Sequence, residues 1–240
     1  HGAGTAQEFG FELLSSYDAA KPGDGFIKIG VGVLERPDAK PYAWNRAYAV
    51  RHLPEWTVRR EDMATECTQT LTFGSAGYRF TKRIVALPEG DGFIVVNTLA
   101  NTGTVSIATD HYSHNMISID GRALGPDYHL TFAAPVRPHA EHQSLTFTGP
   151  TAARFTAAAA TNVLWVKLED LPTTAAANEV TVANDASRVA VTVSTDVGAA
   201  RAVIYAENDT VCPEYFLALD IAPGTEQRWI TTYRFHATAP

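Results

Sequence analysis

Cysteine is scarce: Cys67 and Cys212 alone make neither a disulfide framework nor a zinc box. The simplest reading is two buried thiols. Basic charge is also short, with 19 Lys and Arg against 26 Asp and Glu, a formal charge of −7 and no Lys/Arg-rich run. Phosphate binding needs a concentrated basic face, so a nucleic-acid partner is not expected. No stretch approaches the roughly 18 consecutive apolar residues of a membrane-spanning helix, so no membrane partner is expected either. No charged n-region and apolar h-region opens the chain, so a signal peptide is either absent or already removed, and a leading His without Met reads as a processed or trimmed start. The sequon Asn208-Asp209-Thr210 matters only in a secreted eukaryotic protein, and compartment stays open. Helical periodicity, internal repeats and linker-like composition shifts are nearly absent.

Strand signals are abundant. The chain is 45% hydrophobic and 19% charged, enough apolar material for a sizeable core and too much for disorder. Gly25 to Leu34 reads as one strand, with Ile29, Val31 and Val33 on one face and Lys28, Gly30 and Gly32 on the other. Tyr42 to Arg51 and Cys67 to Phe73 are further extended candidates. Arg79–Leu87 and Phe93–Leu99 flank Pro88-Glu89-Gly90-Asp91-Gly92, a hairpin turn. Asn101-Thr102-Gly103 turns into Val105–Tyr112. Later strands are expected at Val163–Leu168, Glu179–Ala183, Arg188–Ser194, Arg201–Ala206, Tyr215–Ile221 and Arg228–Phe235. Ala-rich Thr151–Thr161 is the one candidate for a short helix. Turns recurring at intervals of roughly ten residues imply an all-β sandwich or barrel, read most simply as one antiparallel domain over residues 1–240.

Three places carry chemistry against this background. The first is Asp110-His111-Tyr112-Ser113-His114-Asn115, where titratable residues crowd the end of an apolar strand. Regular strand phase puts His111 with Ser113 and Asn115, and His114 with Tyr112 and Asp110. A bulge is needed to bring both histidines into one pocket. The second is Glu214, at the start of an apolar strand beside Pro213 and between bulky neighbours, a candidate general base. The third is Lys28 with Gly30 and Gly32, a strip bare of side chains that a ligand or a backbone can approach. Trp44, Trp56, Trp165 and Trp229 are available as platforms for the apolar face of a sugar. His129, His139 and His142 add further imidazoles. None has the spacing of an established metal box, and His111, His114 and Glu214 lack the strand phase of a metal triad. No metal and no cofactor is expected.

These residues resemble a known family. Leu99-Ala100-Asn101-Thr102-Gly103 followed by Asp110-His111-Tyr112-Ser113-His114-Asn115 is similar to the segment of galactose mutarotase-like (aldose 1-epimerase-like) proteins where a hairpin leads into an N-H-x-Y-F-N type motif. Glu214 in Cys212-Pro213-Glu214-Tyr215-Phe216 sits where that family has its late catalytic Glu, ahead of Pro223-Gly224 and a closing Trp229-x-x-x-Tyr233-x-Phe235 strand. The opening Phe26 to Leu34 and the Gly125–Phe132 segment resemble an uncharacterised branch of the superfamily. Asp110 and His114 replace the motif's usual Asn and Phe, and Lys28 stands in for an early substrate-contacting Arg. His1-Gly2 resembles the remnant of an upstream H-G-G motif, and relatives carry N-terminal strands before that point.

The resemblance implies a large antiparallel β-sandwich, the supersandwich, with sugar bound on a sheet face. It implies cofactor-free acid–base interconversion of anomers: Glu214 takes the anomeric proton, and His111 protonates the ring oxygen, with His114 or His129 as alternates. His1, Lys28, Asp110, His114, His129 and Trp165 are the expected sugar contacts, and the expected partner is a mono- or oligosaccharide. Two other functions fit the same fold: a carbohydrate-binding module without chemistry, and a lyase or hydrolase on a uronic-acid polysaccharide, where Lys28 and a histidine handle the carboxylate.

Overall fold

The computed structural model describes residues 2–238. Alternating apolar and polar side chains, broken by turns, fold almost wholly into antiparallel strands. In the first half these are β1 (Gly2–Leu14), β2 (Gly25–Lys28), β3 (Gly32–Glu35), β4 (Val50–His52), β5 (Trp56–Glu61), β6 (Ala64–Phe73), β7 (Ala76–Ala86), β8 (Gly92–Asn101) and β9 (Ile107–Ser118). The second half adds β10 (Tyr128–Phe132), β11 (Arg137–Pro138), β12 (Leu145–Gly149), β13 (Ala152–Phe155), β14 (Leu164–Glu169), β15 (Glu179–Asn184), β16 (Val189–Thr195), β17 (Arg201–Glu207), β18 (Thr210–Ile221) and β19 (Glu226–Ala237). A single short helix, α1 (Ser15–Ala19), follows β1.

Two large sheets face each other. One has six strands in the order β1-β9-β18-β17-β14-β11, the other ten in the order β12-β13-β10-β15-β16-β19-β8-β7-β6-β5. Their inner faces interdigitate: Ile117, Val166, Ile204 and Val211 of the first meet Val95, Leu130, Val182 and Val191 of the second. Each such aliphatic side chain contributes about 1.5–3 kcal/mol on leaving water. This is the expected β-sandwich. Period-two alternation then sends the other half of each six-stranded-sheet side chain to the outer face.

A third sheet, β2-β3-β4, sits against the β1 end. Here the chain departs from the single strand expected over Gly25–Leu34. Gly30, at φ +81°, makes a tight turn in which the Val31 N–H donates to the Lys28 carbonyl at 3.0 Å, and β2 pairs back on β3. Glycine reaches that φ without the clash an L side chain meets, so the glycines serve the turn, not a bare strip on a strand. Tyr42 to Arg51 also differs, because only Val50–His52 is strand. Its aromatics, Tyr42 and Tyr48, instead pack around Tyr17 and Phe26 in a side cluster under α1. The Ala-rich stretch expected as a helix is split into β13 and a one-turn 3-10 helix, Ala157–Ala160, whose start is capped by Thr156. Both cysteines are free, Cys212 buried but Cys67 only half-buried.

β1 supplies the edge of the six-stranded sheet. Its register against β9 shifts between Phe9 and Leu14, where Gly10 has φ +69°. The irregularity leaves Phe9 packed inward against Phe80 and brings Phe11 against Tyr112 and Phe216 on the outer face.

Candidate functional site

The site is assembled by register between β9 and β18. Val211 pairs with Ile117 and Leu217 with His111, and the same register on both sides sets Glu214 opposite His114 and Pro213 opposite Asn115. Pro213 has no N–H to give the ladder. The Asn115 side chain bridges the gap instead, its Nδ2 donating to the Pro213 carbonyl at 2.7 Å. On β1, Glu8 stands opposite Tyr112. The outer-face side chains among these, Glu8, Tyr112, His114 and Glu214, converge.

His114 is held between two carboxylates. Its Nδ1 lies 2.6 Å from Glu214 Oε1 and its Nε2 3.3 Å from Glu8 Oε2. Tyr112 donates its hydroxyl to Glu8 Oε2 at 2.8 Å, and Lys28 Nζ donates to Glu8 Oε1 at 2.7 Å and to the Tyr42 hydroxyl at 3.1 Å. Cys212 Sγ lies 3.4 Å from Glu214 Oε1. Glu214 is largely enclosed, with its side chain 8% exposed, whereas His114 keeps 30%.

Charge follows from these contacts. Hydrogen bonds first to Glu214 and then to Glu8 raise the imidazole of His114 to about 9, overriding burial. At neutral pH it is therefore an imidazolium donating from both nitrogens. Burial alone works against an ionised Glu8, but hydrogen bonds from His114, Lys28 and Tyr112 outweigh it and hold the carboxyl down at about 2. Burial likewise opposes the Lys28 ammonium, yet Glu8 and Tyr42 raise its pKa overall. Burial and then the Glu214 charge push the Cys212 thiol up, so it remains protonated.

The expected partner of Glu214 is replaced. Strand phase turns His111 to the inner face of β9, where it is 2% exposed, 4.7 Å centroid to centroid from both Phe9 and Trp229. Burial lowers its pKa to about 3, so the ring is neutral. No bulge in β9 re-aims it, and the sheet itself separates it from Glu214. Among the described residues His114 is the imidazole that meets the carboxylate. His129 lies on β10 in the other large sheet, 3.3 Å from Asp185, and does not join them. Asp110 is on the outer face but accepts from the Phe11 and Glu12 N–H groups at 2.6 and 3.0 Å and from Arg201 at 3.2 Å, so it pins the irregular part of β1. Trp165 is on the outer face of β14, opposite Tyr205, which is opposite Cys212. Lys28 reaches the cluster only through Glu8. His1 falls outside the described residues.

Glu8, Tyr112 and Tyr42 complete the cluster and were not among the expected site residues. Tyr112 shares the legible phase of His114. Glu8 sits in a Gly-rich segment whose strand signal is weak, with Glu8, Gly10 and Glu12 alternating against Phe9 and Phe11 as the one available clue.

The donor atoms of His114, Cys212 and Glu214 lie within 4.8 Å of one another, compact enough for a metal ion. An imidazolium and a protonated thiol do not ligate until they lose their protons, so protons hold this set together as it stands. A cavity of about 500 Å³ lies elsewhere, lined by Leu14, Phe26, Phe73 and Tyr78 near α1. Its charged linings are Asp24 and an Arg51 paired with Glu35, so it lacks the acid–base pair of the outer face.

The imidazolium–carboxylate pair fixes a testable quantity. Replacing Glu8 by Gln removes one of the two charges that hold the proton on His114. The imidazole, expected to titrate near 9 by nitrogen-15 NMR, should then titrate distinctly lower while the Glu214 contact remains. An unchanged titration would exclude Glu8 from the network.

The two facing antiparallel sheets form a β-sandwich whose fold is that of solved galactose mutarotase-like structures. The chain is similar over 97% of its length, and 88% of the other's, to a GalM/aldose epimerase homologue from C. elegans, with a TM-score of 0.61 at 10% identity. A galactose mutarotase-like protein from Clostridium acetobutylicum matches 98% of this chain with 80% of its own, at TM-score 0.60 and 11% identity. One from Lactobacillus casei matches 97% with 85%, at TM-score 0.56 and 14% identity. No protein-family model matches the sequence, and no curated protein matches it. No helix among the described residues is long and apolar enough to cross a membrane.

Proposed function

We propose that the chain is a carbohydrate-active protein that interconverts sugar anomers, with Glu214 as base and His114 as acid. The single observation that supports it most is the 2.6 Å contact between a largely buried carboxylate and an imidazolium on one open sheet face. In a cyclic sugar the oxygen that must lose a proton and the ring oxygen that must gain one are bonded to the same carbon. An acid and a base in contact with each other match that demand. Glu214 takes the proton from the anomeric hydroxyl, and His114 gives one to the ring oxygen. The bond from the anomeric carbon to the ring oxygen breaks, the aldehyde turns, and closure on its other face returns both protons. No proton is gained or lost overall: on closure the hydroxyl of the opened chain gives its proton back to His114, and Glu214 returns one to the new anomeric oxygen. Glu8, held ionised, keeps His114 charged and oriented.

The uronic-acid reading finds less support, because the Lys28 ammonium that would take a substrate carboxylate is already bound by Glu8. A binding module without chemistry is supported by the engagement of both His114 nitrogens, which leaves no proton free until a ligand displaces one. The test is exchange NMR and polarimetry of the purified protein on pure anomers of D-glucose, D-galactose and their oligosaccharides, with calorimetry alongside. Acceleration over the spontaneous rate supports the enzyme. Binding without acceleration supports the module, and neither rejects the carbohydrate reading.

A further inference from the structure

The outer face continues beyond the acid–base pair in one direction. On the β1 side it is walled: Phe11 stacks on Trp44 with centroids 5.0 Å apart and packs on Tyr112 and Phe216, while Lys28 and Tyr42 flank Glu8. On the other side the register lines up Met116 of β9, Cys212 of β18, Tyr205 of β17 and Trp165 of β14 in one lateral row. Met116 is 47% and Trp165 54% exposed, with Cys212 buried and Tyr205 half-buried between them, so the row ends in an aromatic plate.

Spacing decides what lies along it. Trp165 is two strands over from β18 and two residues along from Glu214, about 12 Å between Cα atoms at roughly 4.8 Å per strand and 3.3 Å per residue. A single pyranose seated on Glu214 and His114 does not extend that far, and a chain of two or three sugar units does. A pyranose presents an apolar C–H face, and a half-exposed indole on a strand near the sheet's edge is suited to receive it.

We propose that the substrate is an oligosaccharide with a free reducing end, its terminal ring over Glu214 and His114 and an inner ring stacked on Trp165. The proposal rests on the reading of that pair as the sugar site. The row explains an exposure that packing leaves unexplained: β14 carries buried Leu164, Val166 and Leu168 on its inner face, and Trp165 adds nothing to that core.

The test compares the wild type with Trp165→Ala and Trp165→Phe on D-glucose, maltose, maltotriose, cellobiose and cellotriose. The readouts are exchange NMR for kinetics and saturation-transfer NMR for binding. Trp165 is exposed, so the variants should fold, checked by circular dichroism. The wild type should show a lower KM for at least one trisaccharide series than for glucose. Trp165→Ala should shrink that preference roughly three- to tenfold, the scale of one aromatic contact, and Trp165→Phe should largely restore it. Saturation transfer to the inner ring should fall in Trp165→Ala alone. A preference for glucose in the wild type, or a trisaccharide preference unmoved by Trp165→Ala, overturns the oligosaccharide proposal while leaving the acid–base pair standing. If no sugar turns over, the acid–base reading fails by itself. Inner-ring contact in the binding spectra, lost in Trp165→Ala, then still supports the platform, and its absence removes it.

Discussion

Glu214→Gln is expected to lower kcat for anomer interconversion by about 10²–10⁴-fold, the worth of one positioned proton-transfer group. The substitution keeps size and shape, and the new amide oxygen can still accept from His114 Nδ1 and from the Cys212 thiol, whose present partner is Glu214 Oε1. Packing around the β9–β18 gap is therefore retained, and circular dichroism and the unfolding midpoint should change little. What is lost is basicity: an amide does not take a proton from a hemiacetal hydroxyl. The His114 imidazolium also loses the nearest of its two counter-charges, so its titration point should fall from about 9 in the same variant. Replacing His114 by Asn should cost a comparable factor, and the double variant should cost far less than the product, because the two groups act as one unit. Polarimetry of a folded Glu214→Gln protein that still equilibrates anomers at the wild-type rate would remove Glu214 from the chemistry.

The part of this site that could be read in the sequence is the part controlled by strand period. Regular alternation from Asp110 to Asn115 already separates His111, Ser113 and Asn115 from Asp110, Tyr112 and His114, and the structure keeps that separation because β9 runs through the segment without a bulge. The choice of His111 came from the family motif, against the phase; the structure keeps the phase. The hairpin joining β7 and β8 and the closing strand β19 were equally legible, since their turns carry Pro and Gly at defined positions. Less visible was anything that depends on pairing between distant segments. Glu8 meets His114 because β1 lies beside β9 across some hundred residues, and no local pattern encodes that neighbour. The β2–β3 hairpin was hidden for another reason. A turn of the Gly30 kind interrupts an apolar run without polar residues, so alternation continues through the turn in the sequence while the chain reverses in space.

His111 has a consequence for stability rather than for catalysis. Its ring is enclosed by Phe9 and Trp229, and neither of its nitrogens has a hydrogen-bond partner among the described residues. Burial, aided slightly by the charge of Lys82, lowers its pKa from the ordinary 6.5 to about 3. The unfolded chain thus binds a proton that the folded chain refuses between those values. The His111 contribution leaves stability undiminished above 6.5 and lowers it as pH falls, by about 1.4 kcal/mol per unit, a loss reaching on the order of 5 kcal/mol near pH 3. That is comparable to the whole stability of many domains. Glu8 also loses stabilising charge in acid, but its ordinary pKa of 4.5 and its folded value of about 2 confine that loss to lower pH. His114, raised to about 9, is protonated in both states below 6.5 and does not contribute there. The window from 6.5 to 4.5 therefore isolates His111 among these groups. Urea unfolding of the wild type should lose about 2–3 kcal/mol across that window. His111→Met, which fills similar space without a titrating ring, should flatten the slope. An equal slope in both proteins would show that the buried imidazole is not the acid-sensitive element of this sandwich.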